Sequence, residues 1–342
     1  MVSKRPVRIQ GAGPAGLSAA ICLARAGQPV DVYEQHETVA KRFSGDLHGI
    51  ENWSLPLDCG KELENFGIEQ SFDFVPCTTL DISSGRAASS LDFARPIFYL
   101  VRRGSDAGCL DHGLLVQAQE LGVQVHFNSR IDDASADILG SGPSPSDVFA
   151  IEKGILFKTD GPDISVALIH PEAAPGGYAY LLVHRGEGVL CSVLFDQFHY
   201  VGSALSVATQ IFQRDYPMSM ESIRPIGGIG ALSLDRFGTR DGKRRVGEAA
   251  GLQDFLFGFG IRNAMVSGAL AARSWLGESD HFDAQQFRFA EAMRCGPAAR
   301  RLWARWAGPL FRPLVWCVAR SRNPHALLAR AHCENILYRL MS

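Results

Sequence analysis

Apolar and polar positions along the chain fall into three textures. In the N-terminal part, short apolar runs alternate with helical stretches. "VRIQ" and "PVDVYE" predict buried strands on either side of a helix carrying Leu17, Ala19, Ala20, Ile21, Leu23 and Ala24, with Gly27 placed to end it. Farther on, "IFYLVRRG" predicts a strand, "CLDHGLLVQAQELG" an amphipathic helix and "VQVHFNSRI" another strand, which extends the same alternation. Residues 41–60, "KRFSGDLHGIENWSLPLDCG", hold no steady period and are expected to be a loop or irregular region. From about 151 to 197 the period falls to two: "AIEKGILFKT", "DISVALIH", "GYAYLLVH" and "GVLCSVLF", separated by Gly, Pro and Asp turns, predict an inserted antiparallel sheet. A helix is expected over 199–215, then a strand and glycine turn in "GKRRVGEAAG", and helix from there to the end.

Composition narrows the classes. With 342 residues and 46% hydrophobic content, the chain can bury one large core or two medium ones. A net charge of -2 gives no case for nucleic acid. The eight cysteines form no C-x-x-C pair and no zinc-type spacing, so no metal site is expected. With no signal peptide ahead of the first glycine motif and no run of eighteen uncharged apolar residues, we expect mostly buried thiols in a cytoplasmic protein without a transmembrane helix.

The chemistry begins at "GAGPAGLSAA". Gly11, Gly13 and Gly16 stand at the G-x-G-x-x-G spacing between a strand and a helix, with Pro14 and Ala15 opening the first turn. Gly11 permits the tight turn, Gly13 lets a pyrophosphate approach the backbone, and Gly16 lets helix and strand lie close, so the phosphates meet the positive helix end. Glu34, followed by Gln35, ends the second strand where such units bind a ribose hydroxyl pair; a carboxylate there repels a 2′-phosphate and favours FAD or NAD over NADP. A second glycine-rich helix start follows at 246–272, with Gly247, Glu248 and Gly251 after a strand, then Gly258, Gly260 and Ile261. A nicotinamide domain alone has no need of it. A flavin dinucleotide does, because its ring end reaches a second helix terminus, where amides stabilise negative charge; the cofactor expected is FAD. Gly258–Ala264 also fits G-x-G-x-x-A, but it lacks a strand immediately before it and an acidic-ended strand after it.

"GAGPAGLSAA", "LVRRG" leading into "LDHGLLVQAQELGV", and "VGEAAGLQDFLFGFGIRNAMVSG", in that order, resemble the FAD-dependent geranylgeranyl reductase family, within the fold shared with aromatic hydroxylases and flavin-dependent halogenases. The resemblance implies that Arg102 or Arg103 contacts the FAD phosphates or ribityl chain. It also implies that Glu248, standing where the family's G-D-A-A-G carries Asp, holds the ribityl or pyrophosphate region. The family proline before the glycine pair is replaced by Phe255, and Phe257 and Phe259 surround Gly258, which implies an enclosed, apolar flavin face. "PGGYAYLLVH" resembles the family's aromatic-x-aromatic strand, which makes Tyr178 and Tyr180, two apart on one strand face, substrate-wall residues together with Phe257. The hydroxylase Asp-Gly motif is missing from "DILGSGPSPSD", and the halogenase lysine and tryptophan motif are not evident. For acid–base work the candidates are Asp46 and His48 in "SGDLHG", His48 because an ordinary imidazole titrates near neutrality, with Cys59 a weaker candidate.

From Arg294 to Ser342 there are nine arginines, no lysine and one acidic residue, Glu334, interleaved with Trp303, Trp306, Phe311 and Trp316. Such a segment packs as a helical cap, closes a lipid-like substrate channel or lies on an anionic membrane surface. The expectation is therefore an α/β protein. Residues 1–145 and 220–280 form an FAD-binding Rossmann-like domain, 146–219 an inserted antiparallel β substrate domain, and 281–342 a C-terminal helical cap. The expected reaction is hydride transfer from reduced FAD to a carbon–carbon double bond of a small apolar or lipid-like substrate. The alternative is hydroxylation or epoxidation through a flavin hydroperoxide. With one complete Rossmann motif, NAD(P)H is expected only as a transient electron donor, or else a separate donor protein reduces the flavin. Peripheral membrane contact falls to the basic C-terminal helices.

Overall fold

A computed structural model describes residues 5–254 and 257–321, and within 302–319 only the side chains of Trp303, Arg305 and Pro313. The chain opens with β1 (Val7–Gln10), α1 (Pro14–Arg25), β2 (Val30–Tyr33), β3 (Asp46–Glu51) and α2 (Cys59–Asn65). It continues through β4 (Val75–Cys77), β5 (Thr79–Ser83), β6 (Ala88–Asp92), β7 (Phe98–Arg103), α3 (Leu110–Glu120), β8 (Gln124–His126) and β9 (Ile138–Leu139). Then come β10 (Val148–Lys158), β11 (Ile164–Leu168), β12 (Tyr178–His184), β13 (Glu187–Leu194), α4 (Val201–Asp215) and β14 (Glu221–Ala231). The last elements are α5 (Leu234–Gly238), β15 (Arg244–Arg245), α6 (Ile261–Trp275) and α7 (His281–Arg320).

Five strands make a parallel sheet in the order β15-β9-β1-β2-β8, so strands from both ends of the sequence share one layer. Val7, Ile9, Val30, Val32 and Ile138 bury one core with α1, α3 and α6. The helices α1 and α6 touch closely, because a Cβ on Gly268 would collide with the Ala15 carbonyl.

Seven strands make the second sheet, β14-β10-β13-β12-β11-β5-β6, antiparallel throughout except where β11 meets β5. Its two faces are both apolar. Ala179, Leu181 and Val183 of β12 pack under α4 with Ala208 and Phe212, while Tyr180 and Leu182 turn to the opposite face. This sheet is wider than the expected 146–219 unit. It takes in 79–92 on one side and 221–231 on the other, both assigned from sequence to the nucleotide domain.

A three-stranded antiparallel sheet, β3-β7-β4, makes the third. Its strand β3 corrects the expectation of irregular structure over 41–60: Asp46 to Glu51 pair residue for residue with Arg103 to Phe98. The strand "DLHGIE" has no local strand signature, and β7 supplies the order from a distant part of the chain. The tail expectation is met in part, since α7 is one helix to Arg320; residues 322–342, and the side chains of Trp306, Phe311 and Trp316, lie outside the described residues.

Candidate functional site

One continuous cavity of about 1310 Å³ runs from the β1–α1 turn to the wall of the seven-stranded sheet. That exceeds the ~300–1,000 Å³ of a pocket for one small ligand. Its nucleotide end is lined by Gly11, Gly13, Pro14 and Ala15, and by Glu34 and Gln35 at the end of β2. Gly11 has φ +89, and a Cβ there would strike the Gly140 carbonyl, so the turn requires glycine. Gly13 is different: a Cβ built on it meets nothing within 4 Å, so the space over this N-cap residue is open. Gly16 does not line the cavity; it lets α1 sit against the Gly11 carbonyl. Glu34 Oε2 accepts the Ala12 amide at 3.0 Å and Oε1 the His36 amide at 3.0 Å, which fixes the carboxylate beside the glycine turn.

Neither α1 nor α6 has a side-chain cap, and the N-cap residues of both, Gly13 and Gly260, line the cavity. Two positive helix ends therefore face one space. Gly247, Glu248, Gly258 and Ile261 line it as well, whereas Gly251 lies outside and makes the turn against Ser233. Glu248 turns Oε1 to the Ala231 amide at 3.1 Å, and Oε2 lies 4.0 Å from Arg42; burial pushes this carboxyl above its usual range. Of the two strand arginines, Arg103 lines the cavity in a buried bidentate pair with Asp111, both contacts 2.8 Å. Arg102, one residue along β7, points the other way to Asp73 at 2.8 Å and does not line the cavity.

The α6 start is held from behind by Arg262. Its guanidinium is fully buried, with Nε on Glu62 at 2.7 Å, Nη2 on the Leu57 carbonyl at 2.9 Å and Nη1 3.6 Å from Glu51. Burial pushes the Glu62 carboxyl up, but Arg262 and Arg288 outweigh it and hold Glu62 below its usual range.

At the far end the cavity is apolar. Trp53, Leu80, Ile82, Leu91, Phe93 and Ile97 line one side, and Tyr178, Tyr180, Leu182 and Val193 the sheet wall, with Phe257, Phe259 and Trp303 closing over them. Tyr178 Oη donates to the Phe257 carbonyl at 2.5 Å, tying the sheet to the loop ahead of α6. Trp303 packs edge-on to Phe257 at 5.4 Å, so α7 does cap this end. Phe255 lies outside the described residues.

Among the titratable groups that line this mixed space are Asp46, His48 and Glu152. Asp46 is buried, accepts the Ser44 amide on Oδ1 at 2.7 Å and is pushed up by desolvation. The expectation that His48 titrates near neutrality fails. Burial, with Arg103 and Arg42 nearby, pushes it down to about 3, and its buried Nε2 has no hydrogen-bond partner. At neutral pH His48 is an uncharged imidazole, not an acid in reserve. Cys59 is buried outside the cavity with its thiol pushed up to about 12. All six described cysteines, Cys22, Cys59, Cys77, Cys109, Cys191 and Cys295, are free thiols.

Glu152 was not foreseen from sequence. In an alternating strand an acidic residue signals the solvent face; here it points into the cavity, with Oε1 accepting Tyr180 Oη at 3.2 Å and Cys191 Sγ at 3.3 Å. Burial pushes this carboxyl up as well.

Comparison with known proteins agrees with this geometry. Residues 9–62 match the model of an NAD(P)-binding Rossmann-like domain. No curated protein matches the chain in sequence. Among solved structures, a geranylgeranyl bacteriochlorophyll reductase-like protein from Thermoplasma acidophilum superposes with a TM-score of 0.72 at 17% identity, covering 98% of each chain. A flavin-dependent brominase gives 0.65 at 15% identity over 96% of this chain and 94% of its own. The oxygenase of 2-methyl-3-hydroxypyridine-5-carboxylic acid gives 0.56 at 17% identity over 95% and 96%. The chain has the fold these proteins share: a dinucleotide-binding Rossmann-like domain joined to a large, mostly antiparallel sheet, with C-terminal helices. Among the described residues no helix is long and apolar enough to cross a membrane.

Proposed function

We propose that the protein is an FAD-dependent oxidoreductase that saturates a carbon–carbon double bond in an apolar, isoprenoid-like substrate. The observation that carries this reading is the continuity of the cavity from the glycine turn to an aromatic and aliphatic wall, with two uncapped helix N-termini opening into it. A nicotinamide dinucleotide has use for one such terminus; a flavin dinucleotide spanning the cavity has use for both.

The residues present fit that group. The open space over Gly13 and the N-terminus of α1 receive the pyrophosphate, Glu34 the ribose, and the loop from Phe257 to Ile261 with the α6 terminus the ring. Reduced FAD, when bound, supplies hydride. Phe257, Phe259 and Trp53 exclude water around the substrate, and Tyr178 holds the Phe257 loop in place. His48, being neutral, lines the wall without adding charge. Of the carboxyls that line the cavity, Glu34 sits at the glycine turn, Asp111 is paired with Arg103 and Glu248 lies beside Arg42, while Asp46 and Glu152 form no ion pair among the described residues. The fold's geranylgeranyl reductase-like relative supports an isoprenoid class, and the apolar wall supports it independently.

The purified protein should carry FAD, released as such on denaturation. After anaerobic reduction it should be reoxidised by an unsaturated isoprenoid such as geranylgeraniol, with the saturated product formed. Reoxidation that needs oxygen and yields a hydroxylated or epoxidised product would replace this reading with monooxygenation. NAD(P)H or a reduced carrier protein then competes for the role of electron donor, which the rate of anaerobic flavin reduction by each decides. Liposome binding by the full chain tests the basic C-terminal helix as a membrane contact.

A further inference from the structure

We propose that Glu152 is the acid of this cavity, delivering a proton from Oε2 to the substrate carbon that does not receive the hydride. The inference rests on the reductase reading above.

Hydrogen-bond direction places the proton of this carboxyl. Tyr180 Oη and Cys191 Sγ both donate to Oε1, so in the neutral carboxyl Oε1 is the acceptor and the proton sits on Oε2. No hydrogen bond from a described residue reaches Oε2, and Glu152 lines the cavity. The groups facing it are Asp46 from β3, Arg42 from the segment before it, Tyr178 and Tyr180 from β12 and Cys191 from β13. The strand β14 brings only Gly228 opposite it. Desolvation, the largest effect, and the Asp46 charge favour the neutral carboxyl; the hydrogen bonds from Cys191 and Tyr180 and the Arg42 charge oppose them, and the balance lies above the usual carboxyl range. Asp46 is the weaker candidate because, although burial pushes it up as well, the Ser44 amide on Oδ1 and the charges of Arg103 and Arg224 favour its carboxylate.

The step balances. The π bond opens, one carbon accepts the hydride, the other forms a C–H bond with the Oε2 proton, and Glu152 is left as a carboxylate that solvent reprotonates. Tyr180 is a positioning residue: its hydroxyl keeps Oε1 occupied.

The test uses reduced holoenzyme mixed anaerobically with geranylgeraniol, comparing wild type with Glu152→Gln and Tyr180→Phe. General acid catalysis contributes ~10²–10⁴-fold, so Glu152→Gln should slow saturated-product formation by about 100-fold or more while FAD content stays at the wild-type level. The wild-type rate should fall as pH rises through the Glu152 titration, and Glu152→Gln should lack that limb. Tyr180→Phe should shift the limb without removing it. Glu152→Asp, which keeps a carboxyl on a shorter arm, carries the test if Glu152→Gln does not fold. Independently of turnover, infrared spectra at neutral pH should show a protonated carboxyl in wild type that is missing from Glu152→Gln. Wild-type rates in Glu152→Gln with the same limb, or no such infrared band, would overturn the proposal. A wild-type enzyme that forms no saturated product anaerobically would instead overturn the reductase reading and this step with it.

Discussion

The ring of Phe259 occupies the space where residue 49 would carry a side chain: a Cβ on Gly49 would lie 2.6 Å from Phe259 Cε1. The missing side chain on β3 lets the loop ahead of α6 close on the small sheet, where Phe259 meets Trp53 edge-on at 4.7 Å. Overpacking a filled site costs about 1–3 kcal/mol. Gly49→Ala should therefore lower the melting temperature and weaken FAD retention together, because the displaced ring belongs to the α6 start. Thermal unfolding with and without added FAD checks this.

Gly11 and Gly13 should separate under mutation. Gly11→Ala places a side chain at φ +89 and against the Gly140 carbonyl, so it should destabilise the fold even without cofactor. Gly13→Leu meets no protein atom at its Cβ, so the apoprotein should melt as wild type does while FAD binding is lost. Calorimetry of both apoproteins and flavin content after purification measure the two effects.

Much of this was legible in the sequence, and the misses share a cause. The β1–α1–β2 unit carries its own signals in Gly11, Gly13 and Gly16 and in alternating apolar strands, and it forms as expected. The strand β3 has Gly49 and polar residues where a strand pattern is sought, and β14 holds Pro225, Gly227, Gly228 and Gly230; distant partners order both. Glu152 escaped notice because only the way the sheet is packed tells that its face is interior. His48 was identified as an acid–base candidate, but its charge state depends on burial beside Arg103 and Arg42, which no local pattern encodes.

Arg262 should prove structural before it proves functional. Removing one partner of a buried ion pair costs about 3–5 kcal/mol. Arg262→Ala leaves Glu62 with only Arg288, at 3.3 Å, and Glu51 without its nearest cation. The variant should unfold at clearly lower denaturant concentration, read by urea titration, and lose FAD as a consequence of the loosened α6 start.

His48 should mark the acid limb of stability. Its folded pKa of about 3 lies below the unfolded 6.5, so the unfolded state takes up the proton first and stability falls as pH drops from 6.5 toward 3. His48→Asn should flatten the part of that limb due to this residue. Urea unfolding at several pH values shows it, and a ring-proton NMR titration of the wild type should leave His48 neutral at pH 5.

The most direct test of the account is stopped-flow absorbance of the reduced, FAD-loaded protein mixed with geranylgeraniol under strict anaerobiosis. The oxidised flavin spectrum should return with stoichiometric saturation of the isoprenoid. A flavin that stays reduced until oxygen is admitted, and then yields an oxygenated product, would contradict it.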